Sequence, residues 1–180
     1  MEFHLKLPLS DDDIKKLHIG DVVYISGRIF TARDEAHHMM LEAGKGDLSF
    51  NPSDMGVYHC GPLMKKVNGV WHVVSAGPTT SSRMEIFEDK FIEKFGVNLL
   101  IGKGGMGERT KKALQSYTGV YTAYTGGAGA LAADKVVEVS DVFWLDELGM
   151  PEAVWIFKVK DFGPLIVAMD SYGDSIYNLK

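Results

Sequence analysis

Two stretches of this sequence put cations and hydrogen-bond donors where a small anion could be held. In Gly77-Pro78-Thr79-Thr80-Ser81-Ser82-Arg83-Met84, a β-type apolar run from Val70 to Ala76 gives way to a helical pattern starting at Met84. A helix entered through Thr and Ser has unpaired N–H groups in its first turn, caps for some of them, and the positive end of its dipole facing outward. Arg83 adds a planar fork suited to a carboxylate, and Gly77-Pro78 fixes a tight turn that lets backbone approach a small ligand. In the second stretch, Leu99 to Arg109, another short apolar run ends in a glycine-rich turn that carries Lys103. Gly102, Gly104 and Gly107 give G-x-G-x-x-G there, with no acidic residue placed for a ribose and no P-loop spacing. Either stretch alone reads as an ordinary capped helix. Two successive junctions of the same kind favour one shared site for an anion.

Arg33 sits at a third junction, where Thr31-Ala32-Arg33-Asp34-Glu35-Ala36-His37 opens a helix that stops at Gly44. The spacing lets Arg33, Asp34 and His37 meet on one face. Spacing by itself favours a solvated Arg33 with His37 paired to Asp34, and the alternative makes Arg33 a third ligand-binding cation.

Composition narrows the partners. With 180 residues, 46% of them apolar, the chain can bury a core and reads as one domain spanning residues 1–180. A net charge of −5 argues against nucleic acid and anionic membrane surfaces, so an anionic ligand must be small and locally held. No apolar run reaches the length of a membrane span and the N-terminal residues lack a signal-peptide core, which leads to the expectation of a cytoplasmic protein. One cysteine, Cys60, excludes an internal disulfide and cannot alone hold an iron–sulfur cluster. No H-E-x-x-H occurs and His37-His38 are adjacent, so no metal site is expected in this chain.

The elements that must position these residues follow from pattern. A strand over Phe3–Leu7 ends at Pro8, and a short helical turn opens at Ser10. A long β-run from Val22 to Thr31 carries a bend or bulge at Gly27, and Val57 to Pro62 is a short strand ending in a turn. Asn68-Gly69 marks a hairpin tip, and Met84, Phe87, Phe91 and Phe95 form the core stripe of a helix. A second amphipathic helix runs from Glu108 to Tyr117, followed by a strand over Val120–Tyr124. The small residues Gly126 to Ala133 let another backbone, a substrate or a partner chain come close. Leu145 to Pro151 reads as a turn. Ala153–Lys160 and Leu165–Met169 read as two closing strands around a turn at Asp161–Pro164. The sum is a mixed α/β domain without a regular β-α-β alternation.

Taken together, Ser26 to His37, Tyr58 to Pro62, Ser75 to Met84, Ile101 to Met106, Gly126 to Ala133 and Gly149 to Ala153 resemble, in order, the β subunit of class I fumarate hydratases and of the similar L-tartrate dehydratases. The resemblance covers nearly the whole chain and implies a swivelling β/β/α domain. It implies a hydro-lyase interconverting fumarate and malate, with tartrate dehydration or a non-catalytic anion-binding module as alternatives. It implies a [4Fe-4S] cluster carried by a partner α subunit, none bound by this chain, a C4 dicarboxylate substrate, and a heterotetramer as the complete enzyme. Carried over by position, the substrate-binding residues are Arg33, Thr79, Thr80, Arg83 and Lys103. Thr79 is the base for the C3 proton, a role that needs a partner carboxylate because a free hydroxyl is a poor base near neutral pH. Asp34 and His37 are read as orienters of Arg33, and Cys60 matches the pattern with no role to assign.

Overall fold

The computed structural model describes residues 1–124 and 129–178. Its strands are β1 (Glu2–Lys6), β2 (Val22–Thr31), β3 (Gly56–Tyr58), β4 (Leu63–Val67), β5 (Val70–Ser75), β6 (Leu99–Gly102), β7 (Val120–Tyr124), β8 (Val136–Phe143) and β9 (Val154–Met169). The helices are α1 (Asp11–Lys15), α2 (Asp34–Ala43), α3 (Glu85–Phe95), α4 (Glu108–Ser116), α5 (Gly129–Asp134) and α6 (Leu145–Leu148).

Four strands, β2, β3, β6 and β7, lie side by side and parallel, in chain order. Antiparallel β9 pairs with β7 on one side and β2 on the other, which closes the sheet into a small barrel. β1 extends β2, β8 extends the first half of β9, and β4–β5 form a separate hairpin. Alternation along the parallel strands sorts their side chains into two cores. Leu99 and Ile101 join Ile25, Ile29, Trp155, Phe157 and Phe162 on one face, and Leu100 joins Phe30, Val57, Phe91 and Phe95 on the face covered by α2, α3 and α4. Trp71 from the hairpin stacks edge-on against Trp155, extending the first core.

Most of the expected elements form where the pattern places them. Asn68 and Gly69 both have positive φ at the hairpin tip, and Gly27, at φ +124°, sits at a register shift of β2. Three readings change. The expected pair of closing strands is one strand, β9; the segment around Asp161, in the left-handed region at φ 49°, bends it without ending it. Asp161 N–H donates to Ser26 Oγ at 3.0 Å, so β9 keeps β2 along one edge while its other edge passes from β8 to β7. The absence of regular β-α-β alternation is also corrected, since α2 and α4 each connect neighbouring parallel strands; the β4–β5 hairpin inserted before α3 hides the repeat. Leu145–Leu148, read as a turn, is the short helix α6. Gly126 to Ala128 lie outside the described residues; Gly129 does bring backbone close, its carbonyl accepting from Ala76 N–H at 3.1 Å. No described helix is long and apolar enough to cross a membrane.

Candidate functional site

The C-terminal ends of β2, β3 and β6 form one rim. Thr31, Tyr58 and Ile101 are in register across the three strands, so Arg33 and Lys103, each two residues further on, emerge at the same level from the strands flanking β3. Two neighbouring-strand spacings put those strand ends about 10 Å apart, within reach of two long side chains converging on a four-carbon acid. The Thr79 segment is threaded between the ends of β3 and β6. Cys60 bridges Pro78, Thr80 bridges Lys103, Thr79 N–H donates to His59 O at 2.8 Å, and Ser81 N–H to Lys103 O at 2.9 Å. Arg83 reaches the start of α2, its Nη2 donating to Asp34 Oδ2 at 3.0 Å. Arg33, Thr79, Thr80, Arg83 and Lys103 therefore share one edge of the molecule. A cavity of about 640 Å³ lies elsewhere, between α2 and α3, and none of these residues lines it.

The rim is not built from open helix mouths. Arg33 occupies the N-cap of α2 without a side-chain cap, and the N–H of Glu35 is taken by Glu152 Oε2 at 3.1 Å. At α4 the carboxylate of Glu85 accepts from Gly107 N–H at 2.5 Å and from the N–H and Oγ1–H of Thr110 at 3.0 Å. A Cβ on Gly107 would meet that carboxyl carbon at 2.9 Å, so glycine is needed where α3 docks on α4. Ahead of α3 the Thr80–Ser81 hydroxyls do not cap; the chain makes a 3-10 turn over Ser81–Met84 and α3 starts at Glu85. The expectation of anion binding by helix termini at Thr79 and Lys103 is thus corrected. Internal carboxylates already use the positive ends of α2 and α4, which leaves the side chains of Arg33, Arg83 and Lys103 as the cations of the rim.

Arg33 is held by contacts that sequence spacing did not reveal. Its Nε lies 3.2 Å from Glu152 Oε1 but is not aligned for a hydrogen bond, so the pairing is one of charge. Burial raises the Glu152 carboxyl, and Arg33 opposes that shift. A Cβ on Gly61 would stand 2.8 Å from Arg33 Cδ and Nη1, so Gly61 is the space into which the arginine folds. Cys60 lies beneath, fully buried, its thiol pushed up by burial and only partly restored by Arg33. The Lys103 turn is fixed from behind: Gly104, at φ +77°, has its carbonyl accepting from Tyr121 Oη at 2.9 Å and also from Tyr177 Oη.

His37 and Asp34 do not pair with each other. Asp34 belongs to Arg83, whereas His37 turns inward, fully buried, with Nδ1–H donating to Arg33 O at 2.8 Å and Nε2 3.0 Å from Glu88 Oε2. His59 Nε2 lies 3.1 Å from the same oxygen, and its Nδ1 is 2.8 Å from Ser81 Oγ, which accepts from Lys103 N–H at 3.0 Å. A Cβ on Gly102 would fall 1.7 Å from Ser81 Oγ, so this network also explains the first glycine of the Lys103 turn.

Comparison with known proteins places the whole chain in a family. The profile of the family described as Fumarase C-terminus matches residues 1–180. The chain belongs to that family. Within it, the chain is 52% identical over 171 residues to a putative L(+)-tartrate dehydratase subunit beta of Methanocaldococcus jannaschii, covering 94% of this chain and 88% of the relative. It is 41% identical over 172 residues to the L(+)-tartrate dehydratase subunit beta of Escherichia coli, covering 96% and 85%. It is 42% identical over 174 residues to a putative class I fumarate hydratase of Geobacillus stearothermophilus, covering 96% of this chain but 33% of that protein. This Fumarase C-terminus chain thus corresponds to nearly all of a separate subunit in some relatives and to a third of a longer chain in another.

Glu152, Gly61, His59, Ser81 and Glu88 are the rim's supporting residues that sequence reasoning did not assign. Glu152, Gly61, His59 and Ser81 fall inside the stretches that carry the family resemblance, which was the available signal. Glu88 had none, standing as one more charge on an amphipathic helix.

Proposed function

We propose that this chain is the β subunit of a hydro-lyase that adds or removes water across C2–C3 of a C4 dicarboxylate, with fumarate and malate as the substrate pair. The observation that carries the reading is the shared rim, where three cations from three separate chain segments stand beside two threonines in a protein of net charge −5. Arg33 and Arg83 hold one substrate carboxylate, Lys103 neutralises charge on the other side, and Thr80 hydrogen-bonds the carboxylate. Thr79, fixed through its backbone to His59, presents its hydroxyl as the acceptor of the C3 proton when a partner carboxylate activates it. The layering of hairpin, barrel sheet and helices supports the swivelling β/β/α description.

The family resemblance implies an iron–sulfur cluster. Cys60, the sole cysteine, is buried with its thiol held protonated by burial, so this chain does not fit a cluster and no step is derived through one here. A partner α subunit that carries it fits the exposure of Arg83 and Lys103 at an open rim. Tartrate as the main substrate is the second reading, favoured by the names of the relatives matched over most of their length. The test is to combine this chain with an α-type chain, reconstitute anaerobically, and follow fumarate absorbance and, from tartrate, oxaloacetate formation. Turnover only with both chains is expected. Turnover by this chain alone, or none with either substrate, would refute the half-site.

A further inference from the structure

Behind the rim, three ionisable side chains share one point. His37 on α2, His59 after β3 and Glu88 on α3 are all fully buried, and Glu88 Oε2 lies within 3.1 Å of an Nε2 of each histidine. The outer ring nitrogens decide where the protons are. His37 Nδ1 faces a backbone carbonyl, which only accepts, so it carries a hydrogen. Its Nε2 lies 3.0 Å from the Glu88 carboxylate oxygen without the alignment of a hydrogen bond, and a bare nitrogen would repel that oxygen, so a proton on Nε2 is what lets the two approach as a charge pair. His59 Nε2 is hydrogen-bonded to the same carboxylate oxygen and so carries a proton, while its Nδ1 faces Ser81 Oγ, which can donate its own hydrogen there while accepting from Lys103 N–H, an arrangement that leaves His59 a single ring proton. One cation and one anion leave the trio neutral, which is how a buried charge becomes tolerable.

We propose that His37, Glu88 and His59 form a buried triad of imidazolium, carboxylate and neutral imidazole, charge-paired between His37 and Glu88 and hydrogen-bonded between Glu88 and His59, that ties together the backbones bearing Arg33, Ser81 and Lys103. They are positioning residues: none touches the rim's solvent side, and each acts through another group. Ionisation at this depth is consistent with the electrostatics. Burial works against the His37 cation, but the Glu88 charge beside it, the Arg33 carbonyl and Asp34 one turn earlier together raise it; Phe87 and Phe91 cover the ring and add no charge. Burial likewise works against the Glu88 anion, and the two histidines overcome it, bringing the carboxyl down to about 2. The same three groups are also a donor set that could hold a metal ion, their ligand atoms lying within 4.8 Å of one another.

Imidazole nitrogen NMR on the ¹⁵N-labelled full chain, with His37→Gln and His59→Gln for assignment, tests the triad without reference to function. At a pH just above the ordinary histidine value, two protonated nitrogens on His37 and one on His59 are expected, with no stoichiometric metal by elemental analysis. A His37 neutral at that pH, or one zinc or iron per chain, would overturn it. Glu88→Gln, with its amide oxygen in place of Oε2, can still accept from His59 while removing the charge that faces His37; the His37 signal should then become neutral. A second arm rests on the hydro-lyase reading. In the reconstituted enzyme Glu88→Ala should raise KM about tenfold with kcat little changed, a loss of about 1.4 kcal/mol, and Glu88→Gln, which keeps the His59 bond, should restore part of it. A fall in kcat alone, or no restoration, would overturn the positioning role. If the wild-type chains give no turnover, the hydro-lyase reading fails while the NMR result still decides the triad.

Discussion

At the level of single residues, the cations of the rim differ in how much structure they bring with them. Arg33 is folded into the space left by Gly61 and paired with Glu152, whereas Arg83 and Lys103 are exposed and reach the rim from flexible stems. Truncating Arg83 or Lys103 should therefore leave the fold intact and cost substrate binding. Arg83→Ala and Lys103→Ala are each expected to lower kcat/KM of the assembled enzyme about a hundredfold, the scale of losing one charged contact to a carboxylate, with an unchanged circular dichroism spectrum. Gly102 is the opposite case. Its Cβ position coincides with Ser81 Oγ, so Gly102→Ala should displace Ser81, lower the melting temperature and disturb Lys103 together, and the double variant with Ser81→Ala should recover part of the lost stability. Cys60, buried with its thiol raised, should resist alkylation in the native chain and react on denaturation.

At the level of elements, helix ends serve assembly more than ligand binding. The Glu85 carboxylate, from the first turn of α3, accepts three hydrogen bonds at the start of α4, which satisfies orphan donors and fixes the two helices behind the Lys103 turn. Removing it by Glu85→Ala should cost about 1–2 kcal/mol, the range of an N-cap, measurable by urea denaturation. The bidentate pair of Arg109 with Asp89 spans the same two helices at 3.0–3.1 Å but is half-exposed, so its loss should matter less. Glu152, just ahead of β9, does for α2 what Glu85 does for α4, and it also pairs with Arg33.

At the level of the whole molecule, the buried triad links stability to pH from two sides. Glu88 has a folded pKa of about 2 against a reference of 4.5, so it contributes stability present above pH 4.5 and lost as pH falls toward 2. His37 has a folded pKa above its reference of 6.5, so its contribution is complete below pH 6.5 and is lost as pH rises through the folded value. The two windows overlap between pH 4.5 and 6.5, where the triad's contribution to the melting temperature should be greatest. Glu88→Gln should flatten both limbs of the melting temperature against pH. A wild-type profile no steeper than that of Glu88→Gln would contradict the coupling.

Local chemistry alone determined much of this protein. The Asn68-Gly69 hairpin, the α2 boundary at Gly44, the Phe87–Phe95 stripe and the bend at Gly27 all follow from rules that act over a few residues, as does the absence of any cysteine set able to hold a cluster. Arg33 and Lys103 were legible as cations just past strand ends, and Thr79, Thr80 and Arg83 as parts of the Gly-Pro-Thr-Thr junction between a strand and a helix. Only the tertiary structure decided that β9 closes a barrel, that Glu85 and Glu152 fill the helix mouths, and that His37, His59 and Glu88 meet. Those outcomes depend on contacts between residues separated by tens or more than a hundred positions, set by which parallel strands become neighbours, and no local pattern carries that information.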